Sequence, residues 1–124
     1  MSLKTRFQNK KIVVMPGVYD GLTASLAEAA GFEALYLSGA AVAYTRLGRP
    51  DIGLTTASEM ADTMTLIADR TSLPVIIDAD TGFGPSAFNI GRTVKDLIKA
   101  GAAAMHIEDQ AGAKRCGHRP NKEI

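Results

Sequence analysis

An eight-residue phrase, Ala30-Gly31-Phe32-Glu33-Ala34-Leu35-Tyr36-Leu37, returns later in the chain as Ala100-Gly101-Ala102-Ala103-Ala104-Met105-His106-Ile107. In both copies Ala-Gly stands where a helix would end, and the apolar run that follows has the length of a buried strand. A chain that repeats this transition is built from βα modules. The remaining segments fit the same alternation. Ile12-Val13-Val14-Met15 reads as a short buried strand closed by Pro16-Gly17, and Asp20 as the N-cap of a helix from Gly21 to Ala30. Thr56 and Glu59 have capping-box spacing, and Met60, Met64, Ile67 and Ala68 recur at helical intervals up to Arg70. Pro74-Val75-Ile76-Ile77 is β-branched and uninterrupted, the pattern of a parallel strand covered on both faces. A third helix fits from Ser86 to Ala100, weakened at Gly91 and stopped by Gly101. The stretch from Ala41 to Asp51 reads as a loop.

Four βα units with no linker or composition break imply a single α/β domain over residues 1–124. They admit either an open doubly wound sheet or the first half of an eight-stranded barrel. The turn after the first strand lacks G-x-G-x-x-G, which disfavours the dinucleotide-binding version. The barrel is favoured by where the polar residues fall. Ser38, Asp78, Asp80, Glu108 and Asp109 lie at or just past the C-terminal ends of three strands, the face on which barrels build active sites.

Charge excludes some function classes. Fourteen Lys and Arg offset thirteen Asp and Glu, and the basic residues are scattered apart from a late cluster from Lys114 to Lys122, so neither nucleic acid nor a membrane surface is expected as a partner. Cys116 is the single cysteine and cannot form an intramolecular disulfide, which favours a reducing cytoplasm. Met1 to Lys11 is polar and basic, with no apolar core of signal-peptide length, and no run has the length of a bilayer span. Met1-Ser2-Leu3 is expected to be a cloning remnant outside the fold.

Asp78 and Asp80 are two apart at a strand end, so continued extended geometry would point both carboxylates to one side. Such a pair invites a divalent cation such as Mg²⁺, with Glu108 one strand further on as a third member. A bare Asp-x-Asp also caps helices or meets surface lysines; the adjoining glycines and Glu108 favour the metal. Cys116 lies between Arg115 and Gly117-His118 in a polar loop, a setting for general acid–base or nucleophilic work rather than for an inert buried thiol. His118 tunes that loop or is simply solvated. Tyr36 points into the core or the site. Ser38 with the amides of Gly39 and Ala40 makes an anion contact or merely a tight turn. His106 reads as a hydrogen-bonded core or barrel-lining residue, not a catalytic one.

Three passages together are specific: Tyr36-Leu37-Ser38-Gly39-Ala40, Asp78-Ala79-Asp80-Thr81-Gly82-Phe83-Gly84, and Ile107-Glu108-Asp109-Gln110 followed by Lys114-Arg115-Cys116-Gly117-His118. From about Met15 onward the chain resembles the isocitrate lyase and phosphoenolpyruvate mutase superfamily. Arg115 to Lys122 most resembles its 2-methylisocitrate lyase branch. The resemblance implies a (β/α)8 TIM barrel of the phosphoenolpyruvate mutase type, of which this chain supplies the first four βα units, its N-terminal half. It implies Mg²⁺ organised by Asp78 and Asp80 with support from Glu108 and Asp51, and a di- or tricarboxylate substrate held by Tyr36, Ser38, Gly39, Ala40, Gly117 and His118. Cys116 would sit on a mobile gating loop as the catalytic acid. The implied reaction is retro-aldol-type cleavage of 2-methylisocitrate to pyruvate and succinate, in a homotetramer when full length. Other activities of the superfamily, among them dimethylmalate or isocitrate cleavage, phosphonomutase and oxaloacetate decarboxylase chemistry, are the alternatives, with a non-catalytic half-barrel as a third reading.

Overall fold

Each strand hydrogen-bonds in parallel to the one before it in sequence, so the sheet runs β1-β2-β3-β4 without reversal. A doubly wound sheet reverses order at a switch point, whereas a barrel winds on in one direction. In this computed structural model, which describes residues 3–8 and 12–124, the elements are α1 (Leu3–Gln8), β1 (Gly17–Val18), α2 (Gly21–Ala29), β2 (Leu35–Leu37), α3 (Gly39–Val42), a π-helical turn (Ala43–Leu47), α4 (Ala57–Ala68), β3 (Val75–Asp78), α5 (Ala87–Lys99) and β4 (Ala104–His106). No helix among the described residues is long and apolar enough to cross a membrane.

The three long helices begin where side chains can satisfy first-turn amides. Asp20 accepts from Thr23 N at 2.7 Å, Thr56 Oγ1 from Glu59 N at 3.2 Å, and Ser86 Oγ from Asn89 N at 3.3 Å, each with the reciprocal bond that completes a capping box. The shared Ala-Gly of the echoed phrase is explained by backbone geometry. Gly31 and Gly101 have φ of +87° and +102°, and a Cβ on Gly101 would meet Ala68 Cβ at 2.9 Å. Only glycine turns the chain there and lets α4 approach.

Leu35 and Leu37 of β2 and Val75 and Ile77 of β3 face α4, whose Met60, Met64 and Ile67 are fully buried against them. Leu97 of α5 and Ala24 of α2 complete this seam, with α4 packed between α2 and α5. Tyr36 and Ile76 alternate to the other face and are only half-buried. The expected double cover of β3 is therefore seen on one face alone.

Four expectations are corrected. Ile12–Met15 is not the first strand: Ile12 is 93% exposed and Val14 64%, and the ladder is made by Pro16 and Val18, whose carbonyls accept from Tyr36 N and Ser38 N. Strand β1 is only the two residues Gly17 and Val18, so hydrophobicity did not mark its bounds. The stretch after Ala41 is not loop throughout, because the small-residue run from Gly39 coils into α3 and the π turn until Gly48, at φ +60°, ends it. Leu3 is not outside the fold; it is 7% exposed at the start of α1, which Arg6 ties to Glu33 at 2.7 Å. Met1 and Ser2 lie outside the described residues. Finally, the chain does not stay extended past Asp78, since Asp80 has φ +48°.

Candidate active site

The strand ends carry the polar residues into one hollow. A cavity of about 340 Å³ is lined by Tyr36 of β2 and Ser38 and Ala40 just after it, by Asp51 and Asp78, by His106 and Glu108 at the end of β4, and by Cys116, Gly117 and His118. The β3–β4 ladder continues beyond the strands through Ala79 N to His106 O (2.9 Å) and Glu108 N to Asp80 O (2.8 Å). Two acidic segments are thereby locked side by side. A larger hollow of about 700 Å³ lies on the helical layer between α4 and α5, where Arg92 is already paired with Asp96 at 3.6 Å.

The positive φ of Asp80 does not scatter the two acids. A Cβ placed on Gly39 would lie 3.0 Å from Asp78 Oδ2 and 3.5 Å from Asp80 Oδ1, so both carboxylates border the same glycine. Gly39 N donates to Asp78 Oδ2 at 3.3 Å, and Asp80 N donates to Asp78 Oδ1 at 3.0 Å. Gly39 itself is buried and serves that carboxylate. Ser38 Oγ accepts from Ala41 N at 3.2 Å, which leaves its O–H to donate elsewhere.

By sequence Lys114 only opens a late basic cluster that runs to Lys122. In the structure it is 8% exposed, with its ammonium bonded to Asp51 Oδ1 and 2.7 Å from Asp80 Oδ1. Burial works to lower its pKa, but the hydrogen bonds and charges of Asp51 and Asp80 prevail, and the net direction is upward. Burial pushes the Asp80 carboxyl above its ordinary value, helped by the charges of Asp78 and Asp51 and opposed by Lys114. Tyr36 is likewise pushed well up, first by burial and then by Asp78, Glu108, Asp80 and Asp51. Its phenol stays protonated and lies 3.0 Å from His106 Nδ1. His106, read from sequence as a hydrogen-bonded core or barrel-lining residue, lines the cavity. Its alternation with apolar neighbours was compatible with either face, and only the register Asp78↔His106 shows which one it takes.

Among the described residues no three His, Cys, Asp or Glu side chains converge closely enough to enclose a metal by themselves. Mg²⁺ does not require that, because it keeps several waters and takes one or two carboxylates. Asp80 Oδ1 is buried, with the Lys114 ammonium 2.7 Å away. Two carboxylates that border the same glycine, Asp78 and Asp80, are a suitable donor set for such an ion.

Cys116 is half-buried at the cavity wall. Its neighbour Gly117 is pressed against Glu108: a Cβ there would come within 2.8 Å of Glu108 Oε1. Lys122 Nζ donates to Gly117 O at 2.7 Å, while His118 lines the rim and is exposed. Thiol, carboxylates, phenol and hydroxyl thus share one small volume, an arrangement able to bind an anionic substrate, spread developing negative charge and deliver a proton.

A family model described as phosphoenolpyruvate phosphomutase matches residues 3–123. The chain is 56% identical over 108 residues to 2-methylisocitrate lyase of Escherichia coli (strain K12), covering 87% of this chain and 36% of the relative. Among solved structures, 2,3-dimethylmalate lyase, a PEP mutase/isocitrate lyase superfamily member, superposes with a TM-score of 0.86 at 40% identity over 100% of this chain and 43% of that one. Phosphonopyruvate hydrolase in complex with oxalate and Mg²⁺ superposes with a TM-score of 0.84 at 31% identity, over 90% and 40% of the two chains. The chain thus spans well under half the length of these relatives.

Proposed function

Because the chain belongs to the phosphoenolpyruvate phosphomutase family, we propose that it supplies the first half of the catalytic barrel of a Mg²⁺-dependent carbon–carbon lyase that cleaves 2-methylisocitrate to pyruvate and succinate. The observation that carries this reading is that a cysteine thiol and the buried carboxylates of Asp51 and Asp78 line one cavity at the strand ends. The inner face bearing Tyr36, Asp78 and His106 would be the barrel lumen.

Asp80 and Asp78 would hold the ion, with Asp51 and Glu108 bordering its waters. When bound, Mg²⁺ supplies positive charge to the carboxylate oxygens over which charge spreads as the bond breaks. The Ser38 hydroxyl is free to donate to a substrate carboxylate, with the Ala40 amide beside it. Tyr36, kept neutral, retains an O–H that can donate a hydrogen bond. As a general base takes the proton of the substrate hydroxyl, a carbonyl forms and the carbon–carbon electron pair passes to the succinate carbon. Cys116 then gives that carbon its proton. A thiol is a stronger acid than an alcohol, and a loop closed by Gly117 and His118 limits competition from bulk water.

Pyruvate release from 2-methylisocitrate by the full-length protein, with and without Mg²⁺, tests the reading. Metal-dependent pyruvate is expected, and Cys116→Ser should lower kcat by about a hundredfold or more at unchanged Mg²⁺ affinity. Full turnover by Cys116→Ser would remove the thiol from the mechanism. The likeness to 2,3-dimethylmalate lyase supports a second reading, cleavage of that smaller dicarboxylate. Higher kcat/KM on 2,3-dimethylmalate than on 2-methylisocitrate would select it.

A further inference from the structure

We infer that Gln110 is a positioning residue for the cysteine loop, an amide brace that sets the backbone of Arg115 and thereby the direction from which Cys116 enters the cavity. Three contacts define it. Gln110 Oε1 accepts from Arg115 N at 2.9 Å, Gln110 Nε2 donates to Arg115 O at 2.8 Å, and the same Nε2 also donates to Glu108 Oε2. A primary amide has one acceptor oxygen and two N–H donors, and here the oxygen and the NH2 group both serve the brace. Gripping both the N–H and the C=O of one residue fixes the orientation of that peptide segment in a way a single bond would not.

The position of the brace gives it a consequence for chemistry. One end rests on Glu108, whose carboxylate borders the cavity, and the other on the residue immediately before the thiol. Lys114, on the far side of Arg115, is anchored among Asp51 and Asp80, and Gly117 lies against Glu108. Gln110 is the tie that holds the backbone between these anchors, so Cys116 is set relative to the carboxylates rather than to solvent. Delivery of a proton to a particular carbon is sensitive to such placement, since an ångström of misplacement can cost about a hundredfold in rate.

The chemistry of the contacts names the variant that breaks them. Glutamate has the same size and one of its oxygens would still accept from Arg115 N, but the other puts an acceptor where Nε2 donates, facing both the Glu108 carboxylate and the Arg115 carbonyl. Methionine removes all three bonds without adding charge. If Gln110 only filled space, both near-isosteres would behave as wild type.

The inference rests on Cys116 being the acid, so the test carries one readout that does not depend on turnover. In the full-length protein, Gln110→Glu should lower kcat on 2-methylisocitrate by about tenfold or more with KM within about threefold, Gln110→Met by less. Amide hydrogen exchange over residues 111–119 should quicken by about tenfold in both, with the remaining amides unchanged. Wild-type kcat and wild-type exchange would overturn the brace, as would a loss of thermal stability with neither local exchange nor kcat altered. Should Gln110→Glu fail to fold, Gln110→Met decides by the same two measurements. If Cys116→Ser retains full turnover, the acid role fails by itself, and the exchange data still decide whether Gln110 holds the loop.

Discussion

The seam between α4 and the sheet and the pocket around Lys114 are almost equally buried, and for opposite reasons. Met60, Met64, Ile67, Leu37 and Ile77 are fully buried, while Asp51, Asp80 and Lys114 are 7%, 3% and 8% exposed. In the seam every group gains by leaving water, and a buried side chain of this size contributes roughly 1.5–3 kcal/mol. In the pocket each charge lost hydration and is compensated only by its partners, so the cluster is weak as a source of stability while remaining costly to break. Stability resides in the first region; the second spends little of it and holds charges in a defined place.

Truncation in the seam should give the largest effect. Met64→Ala leaves a cavity between helix and sheet and should cost about 2–5 kcal/mol in urea unfolding of the full-length protein, with kcat of the folded fraction unchanged. A loss below about 1 kcal/mol would mean that the seam is not the stabilising core. Next comes Lys114→Met, which strands two carboxylates and should cost about 3 kcal/mol. Asp80, already pushed toward its neutral form, limits that loss by taking up a proton. Adding Asp51→Leu to Lys114→Met should recover most of the stability without restoring turnover; simple additivity of the two losses would put pocket and seam on the same footing. The smallest effect on folding is expected from Gly117→Ala. The Cβ would meet only the carboxylate end of the Glu108 side chain, so stability should stay within about 0.5 kcal/mol while kcat falls, and an unchanged kcat would show that the Glu108 contact is incidental.

The two regions also differ in how legible they were. The seam was readable because Met60, Met64 and Ile67 repeat at the helical period and the strands are uninterrupted apolar runs, patterns that burial itself imposes. Asp20, Thr56 and Gly101 marked helix ends through bonding and φ requirements local to the chain. Strand β1 was misplaced because two ladder residues, one of them glycine, carry little hydrophobic signature. In the pocket the acids and the cysteine stood out as residue types at strand ends. Lys114 did not, since a lysine among basic neighbours is ordinarily solvated, and Gln110 did not, since its partners are the backbone of Arg115 and a carboxylate on the preceding strand end.

From the sequence alone came the periodicities, the caps and the glycine stops, and with them the βα alternation and the family resemblance, because each depends on groups within a few residues of one another. What only the tertiary structure decided was which polar groups meet. Asp51 and Lys114 are brought together by packing and sheet register, as are Tyr36 with His106 and Glu108 with Gly117. Charge pairs and hydrogen bonds act over a few ångströms of space regardless of separation along the chain, so their partners are unspecified until the strands have chosen their neighbours.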